Sequence, residues 1–318
     1  MTALVEARDL AIEYETSGGV VRALDGAELA IEPGVSLGLV GESGSGKTTL
    51  GMAIGRLLPV NARRAGGTLH LGGRSVFDLA DGELARLRQR ELGFVFQSPM
   101  SALNATARIG QQVAWALGAE ASGMQVLALL RRVGLPDAAR VAKAYPHELS
   151  GGMAQRVVIA MAIARQPRLL IADEPTASLD ATIRGQILDL LLTLKAQIGA
   201  SLVLLSHELA VVARCCEWVG IMYGGRVVEF GPSAEVFNNP QHPYTQGLLR
   251  AAPGSERPGA RLEPIPGTPP VLSAPAAGCS FRARCTLADA TCQRVRPVQR
   301  RLNDRRILCH HAVGPEFA

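Results

Sequence analysis

Four groups of residues in this chain have the types and spacing for chemistry. The first is Gly41-Glu42-Ser43-Gly44-Ser45-Gly46-Lys47-Thr48, followed by Thr49, which fits the pattern G-x-x-x-x-G-K-[ST]. Glycines there let backbone N–H groups turn inward around phosphate oxygens, Lys47 reaches the β- and γ-phosphates, and the Thr48 hydroxyl can ligate Mg²⁺. An ordinary Gly/Ser turn has the same composition. The apolar strand Val35 to Val40 before it and the helix expected over Thr49 to Leu58 argue for the phosphate cradle. The second group is Asp173-Glu174, at the end of the apolar run Leu169 to Ala172. Open α/β sheets place ligands at such strand ends, so Asp173 can hold Mg²⁺ and Glu174 can orient and deprotonate an attacking water. Alone, the pair would read equally well as a turn or a helix cap. The third group, Leu149-Ser150-Gly151-Gly152-Met153-Ala154-Gln155-Arg156, opens a helix with a serine and two glycines, a second anion-binding terminus. Fourth, Cys279, Cys285, Cys292 and Cys309 offer four thiolates close to the C-terminus, a set suited to Zn²⁺ or to an iron–sulfur cluster. Neither cysteine pair has the C-x₂-C spacing of zinc ribbons.

The elements that must position these groups are visible in outline. Of the 318 residues 47% are apolar and only 4% aromatic, so aliphatic side chains must fill the core. Charged residues at 19% argue against a disordered chain. Apolar runs such as Val157 to Ala164 are too short to cross a bilayer, and Met1 to Glu6 lack the pattern of a secretion signal, so a soluble cytoplasmic protein is expected. Leu4 to Glu15 and Arg22 to Ile31 alternate as strands do, and the stretch from about 105 to 165 has helical spacing. From Arg168 onward strands and helices alternate (Ile183 to Ile198, Leu202 to Leu205, Leu209 to Cys215), which predicts a parallel sheet with crossover helices. Seven prolines between Pro253 and Pro275 predict an extended tether. The expected division is therefore residues 1–250, with a helical part at about 100–165, a linker over 251–278 and a Cys-rich extension over 279–318. Residues 250–318 hold eleven arginines against five acidic residues, a balance of 11 − 5 = +6 within a chain of net charge +5. No aromatics interleave with these arginines, so nucleic acid is not the expected partner. Reduced thiols in that compartment point to metal rather than disulfide, while Cys215 and Cys216 read as packing residues.

The octapeptide at Leu149–Arg156, taken with the other motifs in their order, resembles the signature of ATP-binding cassette (ABC) ATPases over roughly residues 3–250. The resemblance implies an α/β ABC ATPase fold: a RecA-like parallel-sheet core, an antiparallel β subdomain and an α-helical subdomain, here with a small Cys-rich C-terminal extension. It also implies that Ser150, Gly151, Gly152 and Gln155 of one subunit close over the nucleotide held by the cradle of another. Further roles follow from the same likeness. Tyr14 stacks on adenine, and Gln97 senses Mg²⁺ and the γ-phosphate. Ser178-Leu179-Asp180 communicates across the dimer, although the family more often has Thr-Ala-Leu-Asp there. His207 contacts the γ-phosphate. No catalytic element is degraded, which predicts real ATP hydrolysis.

Other stretches resemble the oligopeptide/dipeptide and nickel importer ATPases. These are Gln97-Ser-Pro-Met-Ser-Ala-Leu-Asn104 (with Ala105 where the family has Pro), Tyr145-Pro-His-Glu-Leu, and Asn239-Pro-Gln-His-Pro-Tyr-Thr-Gln-Gly-Leu-Leu249. That likeness implies a second ATPase subunit, identical or different, two membrane permeases and an extracytoplasmic binding protein, with this chain on the cytoplasmic face of the membrane. The coupling helix of a permease is expected near the segment after Gln97. For the four tail cysteines the likeness implies a 4Fe-4S cluster, with Zn²⁺ as the alternative, while His310 and His311 adjoin the last ligand. Nickel import, a soluble ABC ATPase acting on nucleic acid, and a hydrolysis-dead regulatory subunit are the rival expectations.

Overall fold

Period-two alternation sets the start of the chain. β1 (Val5–Thr16) and β2 (Gly19–Ile31) pair antiparallel from Val5 opposite Ile31 to Thr16 opposite Gly19, burying Leu10, Ile12, Leu24 and Leu29. β3 (Ser36–Val40) is buried along its whole length, and α1 (Lys47–Ile54) begins directly after the glycine-rich loop. The helix starts earlier than its apolar pattern suggests and stops sooner. Gly55 caps it and Arg56 takes a left-handed φ of 48°, so the turn precedes Pro59 by several residues. β4 (Ala62–Leu71) and β5 (Arg74–Ser75) complete an antiparallel sheet in the order β2-β1-β4-β5.

This computed structural model describes residues 3–177, 179–252 and 264–312, so Ser178 and part of the expected tether lie outside the described residues. The chain divides into two units, Met1–Leu79 with Leu205–Ala318, and Ala80–Leu204.

The second unit runs through α2 (Asp81–Arg90), β6 (Leu92–Val95), α3 (Pro99–Ala102), α4 (Ile109–Leu117) and α5 (Gly123–Arg132). It continues through α6 (Ala138–Lys143), α7 (Gly151–Ile163), β7 (Leu169–Asp173), α8 (Ala181–Ile198) and most of β8 (Ser201–Ser206). β6 and β7 are parallel, with Leu92 opposite Leu169, and every residue of β7 is buried. A Cβ at Gly93 would strike the Ala162 carbonyl, so α7 can lie tight on β6 only because residue 93 has no side chain. Ser122 and Gln125 form a capping box at the start of α5, and Arg156 of α7 donates to Val133 O at 2.9 Å just past its end.

The first unit resumes with α9 (Leu209–Cys215), β9 (Trp218–Tyr223), β10 (Arg226–Pro232), α10 (Ser233–Asn238) and α11 (Pro243–Ala251). It ends with α12 (Ala290–Arg294), β11 (Arg300–Leu302) and β12 (Arg305–Ile307). β3 and β9 are parallel, and the remaining pairs in the order β11-β12-β10-β9-β3 are antiparallel. The C-terminal segment thus adds a hairpin to the edge of this sheet, pinned by a buried ion pair between Arg305 and Glu229. Its Ile307, Cys309 and Ala312 form a small buried cluster with Leu302 against it. Among the described residues no helix is long and apolar enough to cross a membrane.

Candidate active site

The phosphate cradle lies in the first unit. At Gly41 a Cβ would run into Met222 O, so only glycine lets the chain leave β3 so close to β9. Gly46 turns the chain into α1 at φ 104°, and a Cβ there would lie 2.7 Å from Ala23 O. Lys47, 7% exposed, folds back over the loop and donates from Nζ to Gly41 O at 2.7 Å, Glu42 O at 3.0 Å and Ser45 Oγ at 3.4 Å. No side chain caps α1 and no acidic residue occupies its first turn, so the positive end of the helix faces the loop uncompensated. Ser43, Gly44 and Thr48 form the exposed rim. Tyr14 joins them through a 3.1 Å hydrogen bond between its hydroxyl and that of Thr49. His207 is exposed just beyond β8, where the Glu208 N–H donates to Ser206 Oγ at 3.0 Å and shapes the turn.

Two residues with no role assigned by the motifs also hold this loop. The Glu42 N–H donates to the Tyr244 hydroxyl at 3.0 Å, and Arg284 grips the Glu42 carboxylate with both terminal nitrogens, at 2.6 and 2.9 Å. Tyr244 stands inside the Asn239–Leu249 segment, so its neighbourhood was marked though its role was not. A lone arginine beside a cysteine carries no local signal at all.

In the second unit β7 carries Asp173 to its buried end, and Glu174 follows in the left-handed region at φ 42°. Gln97, beyond β6, donates from Nε2 to Glu174 Oε2 at 3.2 Å, joining residues 77 apart in sequence. Asp180 caps α8 by accepting from the Ile183 N–H at 2.9 Å. Ser150 caps α7 by accepting from the Met153 N–H at 3.3 Å, and both Ser150 and Gly151 are exposed. Gln155 differs from them: it is 1% exposed, and its buried Nε2 has no hydrogen-bond partner. Gly152 has Ile183 against it, with only 3.0 Å left for a Cβ.

The four tail cysteines lie in the first unit, and neighbouring thiols disfavour the charged forms of Cys279, Cys292 and Cys309. Burial pushes the thiols of Cys279 and Cys292 up, and Cys309 up to about 11. Against that, the His311 N–H donates to Cys309 Sγ at 3.3 Å, and a backbone hydrogen bond from Cys279 N–H to Cys292 O at 2.8 Å ties two of the cysteines together. Desolvated thiols served by backbone donors suit a cationic metal centre, although among the described residues only Cys292 of the four belongs to a tight group of ligand atoms. Asp289, Cys292 and His311 place one ligand atom each within 4.8 Å of one another.

Comparison with known proteins adds to this geometry. A family model described as ABC transporter matches residues 24–177, and one described as oligopeptide/dipeptide transporter, C-terminal region, matches residues 228–292. The dipeptide transport ATP-binding protein DppD of Bacillus subtilis (strain 168) is 40% identical over 306 residues, spanning 94% of this chain and 91% of its own. The oligopeptide transport ATP-binding protein OppD of Escherichia coli (strain K12) is 40% identical over 318 residues, spanning 98% of this chain and 94% of its own. Among solved structures, a dimeric ATP-binding cassette in a post-hydrolysis state with ADP and Pi superposes with a TM-score of 0.65 at 29% identity, covering 72% of this chain and 98% of that one.

Proposed function

The chain belongs to the ATP-binding subunits of ABC transporters, in the oligopeptide/dipeptide importer family, and from that membership we propose that it hydrolyses ATP to drive peptides inward through a pair of membrane permeases. The observation that carries this reading is the loop closed over Lys47 at an uncompensated helix N-terminus. When ATP binds, Lys47 exchanges loop carbonyls for phosphate oxygens, and Tyr14 lies against the adenine. Thr48, Gln97 and Asp173 are the residues to hold Mg²⁺, which offsets the charge of the phosphates when bound. Glu174 takes the proton of the attacking water, steadied by Gln97, and His207 contacts the γ-phosphate. Ser150, Gly151 and Gly152 of a facing subunit complete the site, with Asp180 at the shared boundary. Gln155, buried in this state, supports the signature helix from within.

The proposed domains are a nucleotide-binding domain over 1–250 with its helical part at about 100–165, a linker over 251–278 and a metal-bearing extension over 279–318. The proposed partners are a second ATPase subunit, two permeases and an extracytoplasmic binding protein, with this chain on the cytoplasmic face. A cavity in the second unit lined by Phe94, Phe96, Trp115 and Met161, with Trp115 55% exposed, supports docking of a permease helix there. Peptide cargo is favoured over nickel because the relatives are named dipeptide and oligopeptide transport proteins. Vesicles reconstituted with the partner subunits are expected to accumulate a labelled dipeptide only with ATP. Uptake of nickel but not peptide, or ATPase activity that responds to RNA instead, would reject it.

Cys279, Cys285, Cys292 and Cys309 are proposed to hold a 4Fe-4S cluster, which supplies a rigid cross-link and a one-electron redox centre when bound. Zn²⁺ is the second reading, favoured by the Asp289–Cys292–His311 group. Anaerobically purified protein is expected to contain iron and acid-labile sulfide, lost on substitution of any of the four cysteines by serine. Stoichiometric zinc without iron would decide for the alternative.

A further inference from the structure

We propose that Arg284 is a positioning residue for the phosphate loop, and that through it the cysteine-bearing tail sets nucleotide affinity. The proposal rests on the reading of the Gly41–Thr49 loop as the ATP site. Glu42 is held at three points: its N–H by Tyr244, its carbonyl by Lys47, and its carboxylate by the two-pronged grip of Arg284. Arg284 has little freedom to let go. Its side chain is 4% exposed, its Nε donates to Pro266 O at 2.8 Å, and Nη2 also reaches Ile265 O at 3.3 Å. Nη1 lies 3.4 Å from the Tyr223 hydroxyl, with the guanidinium 5.7 Å from that ring.

Two physical effects follow. First, a carboxylate one residue into an anion cradle repels the phosphates it should admit, and the guanidinium cancels that charge. Second, a loop whose Gly44 and Gly46 both have positive φ is otherwise free to wander. Fixing Glu42 beforehand removes part of the ordering cost of binding. Arg284 is itself placed by the tail: it precedes Cys285, and the Arg282 N–H bonds to Cys279 O at 3.2 Å. The nucleotide loop and the thiol cluster are thus joined through one side chain.

The test is Mg-ATP binding by the full-length chain, purified anaerobically, read by displacement of a fluorescent ATP analogue. Arg284→Gln is expected to weaken binding about tenfold at an unchanged number of sites, in keeping with loss of a charge-assisted pair. Arg284→Lys, which keeps the charge but cannot grip both oxygens, is expected to lose about threefold and decides the matter if the glutamine variant does not fold. In a Glu42→Gln background Arg284→Gln should cost less than about twofold, because its partner charge is gone. Wild-type affinity in both Arg284 variants, loss of sites without change in Kd, or an equal cost in the Glu42→Gln background overturns the proposal. Absence of Mg-ATP binding by the wild-type chain would instead overturn the ATP-site reading.

Discussion

Glu174 occupies a backbone region that costs a residue bearing a side chain about 1–2 kcal/mol. The turn that follows, closed by the Ala177 N–H on Glu174 O at 3.2 Å, holds it there, and Gln97 fixes the carboxylate. Strain retained at one side chain aimed by a partner would hold the proposed general base in place. Glu174→Gln keeps the oxygen that Gln97 needs and removes only the proposed proton acceptor. It is therefore expected to bind ATP normally while losing about 10²-fold or more in hydrolysis. Phosphate release in single turnover by the assembled transporter measures this, and near-normal turnover would reject the role. The places of Lys47, Asp173 and Glu174 in the fold were readable because each sits in a contiguous motif whose neighbours report the strand and helix around it. The contacts of Arg284 and Tyr244 with Glu42 were not, since a contact between residues 242 or 202 apart leaves no local pattern.

Helix α11 owes its start to a histidine. His242 is fully buried and its Nδ1 accepts from the Tyr244 N–H at 3.0 Å, so the cap needs a neutral ring. Burial holds the imidazole down at about 3, well below the ordinary value of about 6.5. The folded state therefore binds fewer protons than the unfolded chain between these values, and stability falls as the pH drops through that window. The slope is about 1.4 kcal/mol per pH unit, or about 2 kcal/mol between pH 6.5 and 5. Denaturant unfolding at several pH values is expected to lose this slope in His242→Asn, which keeps a capping acceptor that does not titrate. A slope unchanged in that variant would put the acid sensitivity elsewhere. At this scale the sequence was informative where burial is periodic: β1, β2, β7 and α8 lie where alternation or helical spacing places them. It failed at the end of α1, where Gly55 and Arg56 outweigh an apolar pattern that runs on to Leu58. It failed again at β11 and β12, three residues each, too short for a period to register.

The surplus of positive charge in the C-terminal segment has a use visible only in the folded chain. Arg284 pairs with Glu42, Arg296 with Asp25 at 2.7 Å, and Arg305 with Glu229. Glu229 is completely buried, so losing Arg305 strands its charge away from water, which typically costs about 3–5 kcal/mol, whereas Asp25, equally buried, also pairs with Arg22 at 2.6 Å. Arg284 and Arg305 are turned inward, their side chains 4% exposed, and Arg296 is partly buried. Composition alone indicated the excess but not its direction, because inward and outward arginines look identical in a charge count. The grip of Arg284 on Glu42 also has a consequence in time. A ribosome releases the phosphate loop long before it makes the arginine that steadies it, so a nascent chain carries its cradle unbraced until synthesis is nearly done. Premature termination between the codons of His207 and Arg284 would yield a product with every ATPase motif intact and the brace missing.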